Sequence, residues 1–204
     1  MLKIIQKPVP NFTKGRGQYR PEIIVIHIEK EPMLGSKEAI YSEFINNEKS
    51  SHYCVNKDGS IWQFVKDEDT AWGNGRVDNP ASKYVLSHLG INPNLYSISI
   101  EHEVLEYEPK GINELQYQTT AKLLQELSEK WLIPLDREHI IGHREIYSLK
   151  SCPGNIDISR LISITYPLKD KPILTNEYNK LQTQLTLLEK LVGLWKKLNE
   201  FLKK

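Results

Sequence analysis

Cysteine is scarce in this chain. Cys54 and Cys152 are the whole supply among 204 residues, so one bridge is the most it can form and a disulfide-built scaffold is excluded. Long apolar runs are missing too. Nothing approaches the roughly 18 consecutive apolar residues of a membrane-spanning helix. Charge of one sign is not in excess, since the formal net charge is +1; bulk electrostatics therefore does not recruit nucleic acid, and no nucleic-acid partner is expected. The segment from Met1 to Phe12 holds Pro8 and Pro10 and no apolar core of a secretory signal, so synthesis in the cytoplasm is expected. What remains is ordinary: hydrophobic residues make up 39%, enough to pack one domain and leave about 40 residues over.

One stretch concentrates chemistry, Gly142-His143-Arg144-Glu145-Ile146-Tyr147-Ser148-Leu149-Lys150-Ser151-Cys152-Pro153-Gly154. It follows the strand-like run Glu138–Ile141, and Pro153 and Gly154 restrict the backbone around Cys152. An imidazole and a thiolate suit zinc, but a hydrolytic zinc site takes three protein ligands and keeps one position open. A third ligand has to come from elsewhere.

Along the chain, Glu22–Ile28 is an almost unbroken β-branched run, read as a strand buried on both faces. His27 lies at its C-terminal end. Alone it reads as a hydrogen-bonded core histidine; beside His143 and Cys152 it is the natural third ligand. Residues 36–48 have helical spacing behind Ser36, a fitting N-cap. Ser51–Val55 and Ser60–Val65 flank Asp58-Gly59, a hairpin signal, and Cys54 within the first of these strands reads as a small buried hydrophobe. Residues 67–96 are expected to be loop-rich; Trp72 there reads as a substrate contact or a core anchor, and His88 as a surface residue. Ser97–Val104 alternates, so Glu101 shares a face with Ser97 and Ser99. It is either a solvated edge carboxylate or a site carboxylate with space left by the small serines. A long helix is expected over 113–132, with Leu115 to Trp131 on its apolar face, and a short one over 156–162.

Taken together, His27, Glu101, His143, Lys150 and Cys152 make the chain resemble the zinc-dependent N-acetylmuramoyl-L-alanine amidases of the type 2 amidase and peptidoglycan-recognition-protein superfamily, which includes phage endolysins. The resemblance spans roughly residues 20–162. It is carried by Ile26-His27, Ser51-His52-Tyr53 with the Asp58-Gly59 hairpin, Ser97 to Glu101, Gly142–Glu145 and Lys150–Gly154. It implies an α/β fold with a central, mostly β, mixed sheet flanked by helices, and Zn2+ held by His27, His143 and Cys152. It further implies Glu101 as the catalytic carboxylate, Lys150 as its catalytic companion, and peptidoglycan as substrate, cut by zinc-activated water between N-acetylmuramic acid and L-alanine. Two positions depart from the pattern. Ser51 stands where some members carry a catalytic tyrosine, and Gly73 follows Ala71-Trp72 where many carry histidine.

Three rival readings carry their own signatures. A metal-free Cys152–His143 thiol hydrolase leaves His27 and Glu101 unexplained. A non-catalytic peptidoglycan-binding domain has no need of three ligand positions. A purely structural zinc has no use for Lys150 and Glu101. With no export signal, a phage lysin freed through a holin to reach the wall is expected over an exported autolysin. Residues 1–162 are read as the catalytic domain and 163–175, with Pro167 and Pro172, as a linker. Residues 176–204 read as an amphipathic helix, whose six Lys against three Glu and wide apolar arc suit an anionic membrane surface, self-association or docking on the catalytic domain.

Overall fold

The computed structural model describes residues 2–28, 36–104, 111–165 and 184. The chain divides into two units, Met1–Leu168 and Lys169–Lys204; the expected C-terminal helix over 176–204 lies, apart from Gln184, outside the described residues.

The frame of the first unit is a six-stranded mixed sheet in the order β1-β5-β4-β7-β3-β8. The strands are β1 (Ile4–Gln6), β3 (Ile23–Ile26), β4 (Tyr53–Val55), β5 (Ile61–Gln63), β7 (Ser97–His102) and β8 (Ile140–Gly142). A two-stranded ribbon, β2 (Phe12–Thr13) with β6 (Thr70–Ala71), stands apart from it. The hairpin forms at Asp58-Gly59 as its sequence predicts: β4 and β5 pair antiparallel, Gly59 adopts φ +76° and its N–H closes onto the Asn56 carbonyl at 2.9 Å. The other contacts of the sheet are parallel. This explains why β3, with Ile23 to Ile26 all fully buried, reads as a continuous apolar run rather than an alternating one.

Among the described residues of this unit four α-helices cover the faces: α1 (Lys37–Asn46), α2 (Lys83–Ser87), α3 (Glu114–Trp131) and α4 (Ile158–Thr165). Ser36 caps α1 by accepting the Ala39 N–H at 3.2 Å. Asn113 and Gln116 close a reciprocal capping box on α3, at 2.9 and 3.1 Å. Gln116 also ties that helix to the sheet by donating to the carbonyls of Val55 and Glu103. One face of the sheet packs Ile24, Ile26, Ile98, Ile100 and Ile140 against Tyr117, Leu123, Leu124 and Leu127 of α3 and Leu161 of α4. The opposite face is shared. Cys54, Trp62 and Phe64 meet Ile40 and Phe44 of α1, while Ile23, Val25 and Ile141 meet Val85 of α2 and Tyr96.

Four expectations need correction. Glu101 is not at an edge: β7 lies between β4 and β3 and the carboxylate residue is 8% exposed. Leu115 does not face the core but is 52% exposed; its side chain lies over the turn, so close that a Cβ on Gly59 would fall 2.8 Å from it. The stretch 67–96 contains α2, a helix of five residues, too short for apolar periodicity to declare itself. Finally, α4 begins at Ile158 and runs to Thr165, so the first residues expected as linker are helical, and Thr165 is buried.

Candidate metal centre

The register of the three parallel strands builds the site. Ile26 lies opposite Ile100 on β7 and Gly142 on β8. One residue further along each chain come His27, Glu101 and His143, and the His27 N–H continues the ladder to the Ile100 carbonyl at 2.8 Å. Alternation puts His27 on the face of Val25, Glu101 on that of Ser99 and His143 on that of Ile141. Neighbouring strands lie about 4.8 Å apart, so Glu101, His27 and His143 follow one another across adjacent strands at the C-terminal end of the sheet. The His27 and His143 ring centres are 4.6 Å apart.

Cys152 is brought in by the loop after β8. Arg144 N–H donates to the Cys152 carbonyl at 2.8 Å, folding the loop back on itself. The Pro153 ring then lies against Gly142, where an added Cβ would fall 2.5 Å from Pro153 Cδ. Only glycine lets the two ends of this loop meet so closely. Cys152 Sγ accepts from the Ile28 N–H at 3.2 Å and lies 3.8 Å from His27 Nδ1. One ligand atom from each of His27, His143 and Cys152 lies within 4.8 Å of the others. All three residues are buried, at 2%, 7% and 8% exposure.

These groups fit a zinc ion. Tetrahedral zinc with nitrogen and sulfur ligands sets donor atoms about 3.4–3.6 Å apart, close to the separation already seen between Sγ and His27 Nδ1. Both imidazoles are held neutral, as ligands must be. Burial pushes His27 well below its ordinary value, helped by the neighbouring His143 and opposed by its bond to Asn74. Burial likewise lowers His143 to about 4.

Of the other expected residues, Glu101 stands in register with the histidines, and Lys150 sits on the exposed loop before Cys152. The Lys150 Nζ is 5.9 Å from the Tyr147 ring centre, and its charge reaches both imidazoles, opposing their protonation. Trp72 is 36% exposed and donates its indole N–H to Thr13 Oγ1 at 3.0 Å; it anchors no core. Ser51, at the position of the family's tyrosine, turns its hydroxyl to the Tyr53 carbonyl at 2.9 Å. Gly73 is packed so that a Cβ would meet Ser99 Oγ at 2.9 Å and the Ser50 carbonyl at 3.0 Å. A histidine there would force neighbours apart. His88 stacks on Tyr84 with ring centres 4.5 Å apart, away from the ligand group.

Two polar residues at the site were not anticipated. His102, on the opposite face, bonds the His27 carbonyl through Nδ1 at 3.0 Å and Thr120 Oγ1 of α3 through Nε2 at 2.9 Å. It fixes the backbone at His27. Asn74, fully buried, contacts the Nε2 atoms of both ligand histidines. His102 was legible as an inward residue of an alternating strand; nothing in Gly73-Asn74-Gly75 marks the asparagine.

The sheet delivers two histidines and a buried cysteine to one point, a group that could hold a metal ion, with a carboxylate residue in register beside them. Residues 17–155 match the family of N-acetylmuramoyl-L-alanine amidases, and the chain belongs to that family. Among solved structures it is similar to a selenomethionine derivative of AmpD, with 20% identity and a TM-score of 0.59 over 80% of this chain and 93% of that one. It is equally similar to a mutant endolysin from Bacillus subtilis, with 20% identity, TM-score 0.59, 81% and 99% coverage. The amidase LysC from Clostridium intestinale follows at 17% identity and TM-score 0.56, covering 83% and 100%. Among curated proteins no significant match in sequence is found. The mixed six-stranded sheet flanked by helices is the fold these structures share.

Proposed function

We propose that the chain hydrolyses the amide between the lactyl group of N-acetylmuramic acid and L-alanine in peptidoglycan, with a zinc ion held by His27, His143 and Cys152. The observation that carries this reading is the convergence of those three ligand atoms within 4.8 Å, in a family of amidases. When bound, zinc supplies a Lewis acid that brings the pKa of water to about 7. Glu101, buried beside the ligands, takes the proton released as water attacks the amide carbonyl and returns it to the leaving amine. Lys150 donates to the carbonyl oxygen as it gains negative charge, a contribution typically worth about 3 kcal/mol. The Ser51 hydroxyl, committed to the Tyr53 carbonyl, takes no proton, so proton transfer falls to Glu101.

The same reading assigns the chain an endolysin's role: phage-encoded, made in the cytoplasm and reaching the wall after a holin opens the membrane. Residues 163–175, the first three of which lie in α4, are taken as the linker on the sequence reading alone. The basic, apolar segment 176–204 then contacts an anionic membrane or self-associates, which light scattering with and without anionic vesicles separates. The test of the activity is digestion of purified peptidoglycan followed by mass spectrometry. New N-terminal alanine without new reducing sugar ends is the expected result; reducing ends alone would show a glycosidase and sink the proposal.

A further inference from the structure

An imidazole offers a metal one of two nitrogens, and the partner of the other nitrogen decides which. In this protein one residue makes that decision for both histidines. Asn74 Oδ1 lies 3.2 Å from His27 Nε2, and the Asn74 backbone carbonyl lies 2.9 Å from His143 Nε2. Both Asn74 atoms are acceptors. Each Nε2 therefore carries the hydrogen, and each Nδ1 keeps its lone pair, directed on His27 toward Cys152 Sγ at 3.8 Å. The amide itself is held. Asn74 Nδ2 donates to Ser97 Oγ at 2.8 Å, and the Asn74 N–H donates to Asn94 Oδ1 at 2.9 Å. Were the amide reversed, its NH2 would face His27 Nε2, the imidazole would shift its hydrogen to Nδ1, and a ligand would be lost.

The two glycines beside Asn74 account for its reach. Gly73 lacks the Cβ that would strike Ser99 Oγ and the Ser50 carbonyl, so the loop presses onto the sheet. Gly75 turns the chain away through φ +62°, a conformation that costs a residue with Cβ. Gly73 thus belongs to a Gly-Asn-Gly device.

We propose that Asn74 is the positioning residue of the metal centre, fixing both ligand imidazoles with Nδ1 toward the metal, by its side chain for His27 and by its backbone for His143. The proposal rests on the zinc reading for its purpose, but its test does not. Imidazole tautomers are read in the zinc-free full-length protein by long-range nitrogen–proton NMR, and zinc affinity by competition with a chromophoric chelator. In the wild type both His27 and His143 should hold the hydrogen on Nε2. In Asn74→Leu and Asn74→Ala, His27 should lose that preference while His143, bonded to a backbone carbonyl, keeps it. Zinc affinity should fall about 10–100-fold, as loss of such a partner typically costs, while Asn74→Asp, which retains the acceptor, should stay within a few-fold of wild type. A residue that merely packs would lower the melting temperature of the zinc-free protein and leave tautomer and affinity alone. That outcome, or an unchanged His27 tautomer in both variants, overturns the proposal. A wild-type protein that binds no zinc overturns the metal reading instead, and the tautomers still decide the role of Asn74.

Discussion

An imidazole can act as a ligand only when neutral, and burial secures this for His27 and His143, both held below the ordinary histidine value. Purified protein is expected to carry about one zinc per chain by elemental analysis, with wall lysis lost on chelation and restored by added zinc; full lysis by metal-free protein would refute this. Glu101→Gln removes the proposed proton carrier without touching a proposed ligand. The turnover rate should fall by about 10²–10⁴-fold while zinc content and circular dichroism stay unchanged. Near wild-type turnover in that variant would return the proton step to an unassigned group. The grouping of His27, His143 and Cys152 was legible from the sequence because their types and positions are distinctive: a histidine ending a β-branched run, and a histidine and a cysteine bracketing one loop. Asn74 was not. Its role depends on a carbonyl and an amide aimed by a loop, and no residue type announces a backbone carbonyl.

At the level of elements, the sequence signals that held were a marked turn at Asp58-Gly59, a continuous β-branched run, and helices with several turns or a named cap. The helix expected over 113–132 is observed as Glu114–Trp131 with its Asn113 cap, and Ser36 opens α1. Short elements escaped, since five residues of α2 and the three of β1 carry too little periodicity to separate from loop. The loop from β8 to Cys152 depends most sharply on one position, Gly142. In Gly142→Ala the new methyl meets Pro153, and overpacking of this kind costs about 1–3 kcal/mol. For a domain of this size that lowers the melting temperature by roughly 2–10 °C. Zinc affinity should weaken with it, because Pro153 is the neighbour of a ligand. An alanine variant with unchanged melting and unchanged affinity would show that the loop yields freely.

For the molecule as a whole, acid sensitivity follows from buried histidines outside the ligand set. His52 accepts the Ser99 N–H on Nδ1 at 3.0 Å, and burial with the nearby Arg16 charge lowers it to about 3. Burial lowers His102 to about 4. Both are depressed from 6.5, so the unfolded chain takes up protons first as pH falls. The stability tied to their neutral forms is complete above pH 6.5 and is lost progressively toward pH 4, by up to about 1.4 kcal/mol per pH unit for each group. Melting of zinc-free protein should therefore decline steeply over that window, and His52→Asn should decline less steeply; parallel curves would assign the acid loss to other groups. A different consequence attends β8, a three-residue strand at the open margin of the sheet. Such a margin frays first. Since one proposed ligand follows β3 and two follow β8, a bound metal would work as a rivet across the sheet's last seam. At a thousandfold excess over its dissociation constant it adds about 4 kcal/mol, placed where the backbone is held least. Amide exchange at Ile140 and Ile141 should slow on adding zinc far more than at Tyr53 to Val55, which would make the proposed ion the fastening of this border as well as its chemistry.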